Sequence, residues 1–206
     1  MLKIWGRASS INVMKVLWCC EELNLPFERV DVGGAFAFKN QPNYLELNPN
    51  GRVPTIDDGG FILWESNVIV RYLSAKHGMG TLFPKGDRER WNAERWMDWQ
   101  QTVAGPAMTA MFWQLVRTPP EKRDMAAVEA SRKSSAEAMN ILDRHLATSP
   151  FVAGGSFSMA DIPLGCMAYR WLAFPVERPP QPHLVAWHDK LKQHPGYRKH
   201  LTLPMV

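Results

Sequence analysis

No uninterrupted apolar run in the sequence approaches the roughly 18 residues that suggest a membrane-spanning helix. Met1 to Trp5 lead straight into a strand-like stretch, without the basic start and long apolar segment of a secretory leader. Cysteine is scarce. Cys19, Cys20 and Cys166 make an odd set of three with no metal-ligand spacing around them, so neither a disulfide framework nor a metal site is expected. A reducing compartment suits such a chain, and we read it as cytoplasmic with no membrane association. No basic tract stands out. The 24 Lys and Arg against 20 Asp and Glu leave a net charge of +4 that is scattered along the chain. That pattern argues against a nucleic-acid partner but would still attract a small anionic ligand. Internal repeats and low-complexity segments are also missing.

What is present can fold. Apolar residues make up 46% of the 206 and charged residues 21%, enough to bury a core in one large domain or two small ones. Leu2 to Trp5 reads as a buried strand. Val13, Val16, Leu17, Cys20 and Leu23 recur at helical spacing over Asn12 to Leu23, with Ser10 or Asn12 as N-cap. Phe27 to Val32 alternates like a second strand, completing a strand–helix–strand unit suited to a parallel crossover. After a loop with Phe36 and Phe38, a helical turn is expected near Tyr44 to Leu47. Val53 to Ile56 and Phe61 to Leu63 read as a hairpin joined by Asp57-Asp58-Gly59-Gly60. Glu65 to His77 is helical and stops at Gly78. Residues 78 to 87, with two more glycines and Pro84, form the domain boundary. Beyond it helices are expected over Asp87–Val116, Glu121–Ala147, Ser158–Ala173, Gln181–Gln193 and Gly196–Lys199.

Three motifs stand in order along this frame: Asn48-Pro49-Asn50-Gly51-Arg52-Val53-Pro54-Thr55, Trp64-Glu65-Ser66, and Gly154-Gly155-Ser156-Phe157-Ser158-Met159-Ala160-Asp161-Ile162. With the element order, they make the chain resemble the cytosolic glutathione transferase family over nearly its full length, in its bacterial-type, serine- or asparagine-using branch. The resemblance implies a thioredoxin-like α/β N-terminal domain over residues 1–80 that holds glutathione. An all-α C-terminal domain over residues 87–206 would hold a second substrate. It implies glutathione as co-substrate, no cofactor, a small apolar electrophile as acceptor, and a homodimer.

Each motif has a physical reading beside its structural one. Val53-Pro54 sits where the family carries a cis proline, which would turn the Val53 backbone groups toward glutathione's cysteinyl backbone like an added strand. Glu65-Ser66 opens a helix, whose unpaired N–H groups and partial positive charge suit the γ-glutamyl carboxylate. Ser66 would bind that carboxylate and Glu65 the ammonium, although the same pair could serve only as a cap. Arg52 and Lys39 match the family positions that meet the glycyl carboxylate. Ser158-Met159-Ala160-Asp161 is a capping box with Asp in the last place, and we assign it to stability.

The family's chemistry requires a thiolate. A thiol with pKa about 8.5 needs about 2.7 kcal/mol of anion stabilisation to fall by two units. A helix N-terminus supplies up to about 2 kcal/mol and a charge-assisted hydrogen bond roughly 1.5–3, so both together suffice. The loop Arg7-Ala8-Ser9-Ser10-Ile11-Asn12-Val13 holds no tyrosine and no cysteine. The resemblance, through the family's Ser-x-(Pro or Asn) pattern at Ser10-Ile11-Asn12, implies Ser10 and Asn12 as the catalytic candidates, with Ser9 and the backbone N–H groups as alternatives. Phe36, Phe38, Met108, Met111, Trp113, Trp171, Phe174 and Met205 are candidate walls for the second substrate, each also a plain core residue by type. The resemblance implies conjugation of glutathione to an electrophile. Glutathione-dependent peroxide or disulfide reduction is the first alternative, and a non-catalytic binding protein on the same scaffold is the second.

Overall fold

Leu2-Lys3-Ile4-Trp5 forms β1 (Leu2–Trp5), an inner strand whose Ile4 side chain has no exposed surface. The computed structural model describes residues 1–33 and 43–201. β1 is followed by α1 (Ile11–Glu22), β2 (Phe27–Val30), a single turn α2 (Tyr44–Leu47), β3 (Thr55–Asp58), β4 (Phe61–Trp64) and α3 (Ser66–His77). The four strands lie in the order β2-β1-β3-β4. β1 runs parallel to β2, with Ile4 opposite Arg29, as the intervening helix requires. β3 is antiparallel to both β1 and β4, and pairs Ile56 with Ile4 on one side and with Leu63 on the other. The β3–β4 hairpin closes through Gly59 (φ 65°) and Gly60 (φ 96°), positive angles that suit a two-residue turn matched to strand twist. Asp57 Oδ1 accepts from the Gly60 N–H at 2.6 Å.

The chain divides into two units, one comprising Met1–Phe83 together with residues 194–201, the other Pro84–Gln193. The sequence reading, however, assigns residues after 193 to the helical domain, whereas α9 (Pro195–His200) packs on α1. Glu22 explains the docking. Its Oε1 accepts from Trp18 Nε1 at 3.0 Å and from the Gly196 N–H at 3.1 Å, while Oε2 meets His194 Nδ1 at 3.1 Å. Trp18 and Tyr197 meet edge to face at 5.3 Å. A Cβ on Gly196 would fall 2.3 Å from Trp18 Cδ1, so only glycine permits this approach. Packed by α3 and α9, α1 is buried all round from Val13 to Cys20 rather than along one stripe.

The second unit is helical: α4 (Asp87–Trp99), α5 (Gly105–Phe112), α6 (Met125–Leu146), α7 (Asp161–Ala173) and α8 (Pro182–Leu191). The continuous helix expected over Asp87–Val116 is interrupted by wide π-type turns at Gln100–Ala104 and Trp113–Arg117. Pro106 accounts for the first: it has no N–H for the carbonyl of Thr102 and its ring crowds that turn. Asp161 has no exposed surface and accepts from the Ser158 N–H and the Val152 N–H, both at 2.9 Å. The Ser158 hydroxyl at 3.1 Å and Trp187 Nε1 at 2.9 Å complete the set, so the capping box also ties α7 to α8 and to the preceding loop. Among the described residues no helix is long and apolar enough to cross a membrane.

Candidate active site

The loop after β1 is held by its backbone. Gly6 N–H donates to Val30 at 2.8 Å and Arg7 N–H to Val32 at 3.0 Å, which leads the chain into α1 at Ser10. Ser10 occupies the N-cap with extended backbone (φ −78°, ψ 124°), and its carbonyl accepts the first helical bond from Met14 at 2.8 Å. Its side chain makes no capping hydrogen bond. Ser10 is buried, Ser9 half-buried and Asn12 exposed on the first turn.

The start of α3 meets that turn. The Ser66 hydroxyl donates to Asn12 Oδ1 at 3.4 Å. Beneath them Lys15 is 1% exposed, and its ammonium donates to Ser66 Oγ at 3.4 Å and to Asn67 Oδ1 at 3.1 Å. A buried ammonium thus adds its charge to the helix N-terminus, where anions are favoured. Glu65, the N-cap of α3, has φ 71° and ψ 109°. A non-glycine residue in that region is uncommon and concentrates at ligand-binding positions. Glu65 remains exposed while Ser66 and Asn67 are buried.

The third element is the approach to β3, where the Val53–Pro54 peptide bond is cis. The segment is pinned from below by two side chains the sequence reading did not single out. Tyr44 Oη donates to the Arg52 carbonyl at 2.6 Å and Asn48 Nδ2 to the same oxygen at 2.9 Å. Both also meet Thr55 Oγ1, at 2.8 and 3.2 Å. Burial raises the pKa of the Tyr44 hydroxyl, which keeps it a neutral donor. Asn48 opens the Asn-Pro-Asn-Gly motif, so its place in the sequence was a usable signal. Lys15 carried none. Arg52 itself is exposed and Val53 half-buried.

The other expected site residues are dispersed. Phe36, Phe38, Lys39 and Met205 lie outside the described residues. Met108, Met111 and Trp171 have no exposed surface, and Trp171 Nε1 donates to Gln181 Oε1 at 2.8 Å inside the second unit. Trp113, by contrast, is 57% exposed. Cys19 and Cys20 are enclosed in α1, and burial pushes the Cys19 thiol up to about 12 and the Cys20 thiol up as well.

The sequence and the fold have known relatives. A model for the glutathione S-transferase N-terminal domain matches residues 1–75, and one for the C-terminal domain matches residues 125–202. Glutathione S-transferase GstB of Escherichia coli (strain K12) is 39% identical over 207 residues, covering 100% of both chains. Glutathione S-transferase 3 of Zea mays is 29% identical over 96% of this chain and 92% of its own. The solved theta class glutathione S-transferase of Xanthomonas axonopodis pv. citri, with glutathione bound, superposes with a TM-score of 0.95 at 43% identity, over 100% of this chain and 99% of that one.

Proposed function

The chain belongs to the glutathione S-transferase family, whose members are transferases with glutathione as co-substrate, and on that premise we propose that it conjugates glutathione to a small apolar electrophile. The observation that carries the binding site is the meeting of Asn12, Ser66 and Lys15 at the start of α3. There the γ-glutamyl carboxylate takes the Ser66 hydroxyl and the first N–H groups of α3, with the Lys15 charge behind it. Glu65 takes the γ-glutamyl ammonium. The backbone of Val53, beside Pro54, pairs with the cysteinyl residue, and Arg52 and Lys39 meet the glycyl carboxylate.

The thiol then lies over the start of α1, where Ser10, Asn12 or Ser9 and the helix N–H groups favour its anion. The thiolate attacks the electrophilic carbon and forms a C–S bond. The leaving group departs with its electron pair, and the thiol proton goes to solvent. Phe36, Met108, Met111 and Trp171 are the residues we assign to the acceptor, and the last three have no exposed surface. The protein acts in the cytoplasm as a homodimer. Exposed Phe61 (51%), Trp64 (37%) and Val68 (40%) on neighbouring stretches of the first unit support self-association.

The test is a pH titration of bound glutathione by thiolate absorbance, for the wild type, Ser10→Ala and Asn12→Ala. Conjugation requires the bound thiol to ionise well below about 8.5, and the variant that restores the free value names the donor. A bound thiol with unshifted pKa would remove conjugation and leave the binding-protein reading. A shifted pKa with turnover only of hydroperoxides or mixed disulfides would assign the enzyme to reduction instead.

A further inference from the structure

Four arginines of the second unit find oxygen. Arg132 pairs with Glu129 at 2.7 Å and Arg90 with Asp87 at 2.5 Å. Arg123 donates to the carbonyls of Thr118 and Leu115, and Arg178 to that of Phe174 at 2.7 Å. Arg170 does not follow this pattern. Its guanidinium carbon lies 4.0 Å from the centre of the Phe112 ring, and its Nε is buried with no hydrogen-bond partner among the described residues. Arg117 reaches the same ring at 5.6 Å. No carboxylate pairs with either guanidinium among the described residues.

Two cations therefore share one aromatic ring without a counter-charge. Burial, reinforced by the Arg117 charge, pushes the Arg170 pKa down to about 10, which reports the same missing anion. The cluster is open to solvent: Arg117 is exposed, and Phe112 and Arg170 are each half-buried. Next to Phe112, at 6.3 Å between ring centres, stands Trp113 with 57% of its surface exposed. Two guanidiniums supply the planar donor forks that suit a carboxylate or sulfonate, and the two rings supply a face for an aryl group.

We infer that Arg117, Arg170 and Phe112 form an anion subsite for the second substrate, which makes the preferred electrophile an aromatic compound bearing a carboxylate or sulfonate. This rests on the conjugation reading above and adds the substrate's charge to it. The subsite accepts the anion on the Arg117 fork beside the Arg170 guanidinium, and the ring of the substrate lies against Phe112 and Trp113.

Two measurements on the full chain separate the subsite from the reaction. The first is calorimetry without glutathione, using the unreactive 3,5-dinitrobenzoate and its uncharged counterpart 1,3-dinitrobenzene. The wild type should bind the benzoate about tenfold more tightly. Arg170→Gln should abolish that preference, and Arg117→Gln should reduce it. Arg117 is exposed, so its variant carries the test if Arg170→Gln does not fold. Equal affinity for the two probes in the wild type, or a preference that survives both substitutions, would overturn the subsite.

The second compares kcat/KM for 4-chloro-3,5-dinitrobenzoate with that for 1-chloro-2,4-dinitrobenzene in the presence of glutathione. The ratio of charged to uncharged substrate should fall about tenfold in Arg170→Gln. An unchanged ratio beside a lost calorimetric preference would overturn its assignment to the substrate. If the wild type conjugates neither compound, the conjugation reading fails, while the calorimetry still decides whether the anion subsite exists.

Discussion

The ammonium of Lys15 lies 3.4 Å from the Ser66 hydroxyl, in the interior and at the first residue of α3. The two positions are 51 residues apart in sequence and belong to different helices. Lys15 thus stands behind the hydroxyl proposed to hold glutathione's γ-glutamyl carboxylate, oriented also by Asn67.

Lys15→Met is expected to weaken glutathione binding about tenfold, a loss of about 1.4 kcal/mol, with a smaller effect on kcat. Because Lys15 acts through Ser66, Lys15→Met and Ser66→Ala should not add. The double variant should fall short of the summed losses by roughly 0.5 kcal/mol or more. Calorimetric Kd values for glutathione in the four proteins check this, and strict additivity would show that Lys15 does not act through Ser66.

Asp161→Ala should destabilise the protein by about 3 kcal/mol or more, since it strands buried donors from Val152, Ser158 and Trp187. For a chain of this size that is roughly 6–12 °C in Tm. Glutathione affinity should hold, because Asp161 lies in the second unit. Thermal melts and a binding titration on the same variant separate the two effects, and an unchanged Tm would remove Asp161 from the stabilising role.

Stability should decline as the medium is acidified from pH 6.5 toward 4. His188 is 4% exposed, and burial pushes its imidazole down to about 4, against 6.5 in the unfolded chain. Within that window the unfolded state takes up a proton that the folded state refuses. Folding stability is complete above pH 6.5 and is lost progressively below it, by about 2 kcal/mol at pH 5. His200 is depressed by burial in the same direction. Tm measured between pH 7.5 and 5 should fall less steeply in His188→Phe than in the wild type, and parallel curves would remove His188 as a contributor.

The cysteines should be silent toward thiol reagents. All three are buried, and the contact of the Cys19 thiol with the Ser74 hydroxyl at 3.7 Å does not offset its burial. Ellman's reagent at pH 8 should titrate none of them in the folded protein and all three in guanidinium. Fast reaction of even one thiol in the native state would contradict their enclosure.

Much of the fold was legible because its signals are local. Apolar spacing marked α1 and α3 to within a residue, and Gly59-Gly60 marked the β3–β4 turn. The motif segments at Asn12, Val53-Pro54 and Glu65-Ser66 could be read by resemblance, and Asn12 and Ser66 meet. What escaped depends on distant partners. Lys15 has no local sign of burial, since its enclosure comes from α3. The wide turn at Gln100–Ala104 requires weighing Pro106 against an otherwise unbroken helical pattern. Residues after 193 read as one more helix of a helical run, and only Trp18, 178 or so positions earlier in the frame of α1, reveals where it docks. Methionine and tryptophan types could not tell a pocket wall from a core, and Met108, Met111 and Trp171 are enclosed.

The seat of α9 on α1 has a consequence for the newborn chain. Glu22 and Trp18 leave the ribosome early, whereas their partners His194, Gly196 and Tyr197 follow only after all of Pro84–Gln193 has been made. Translation begins the strand-bearing unit first and completes it last. Until then the α1 face that will receive α9 has no cover from its own chain, and the helical unit has time to fold before its elder neighbour is finished.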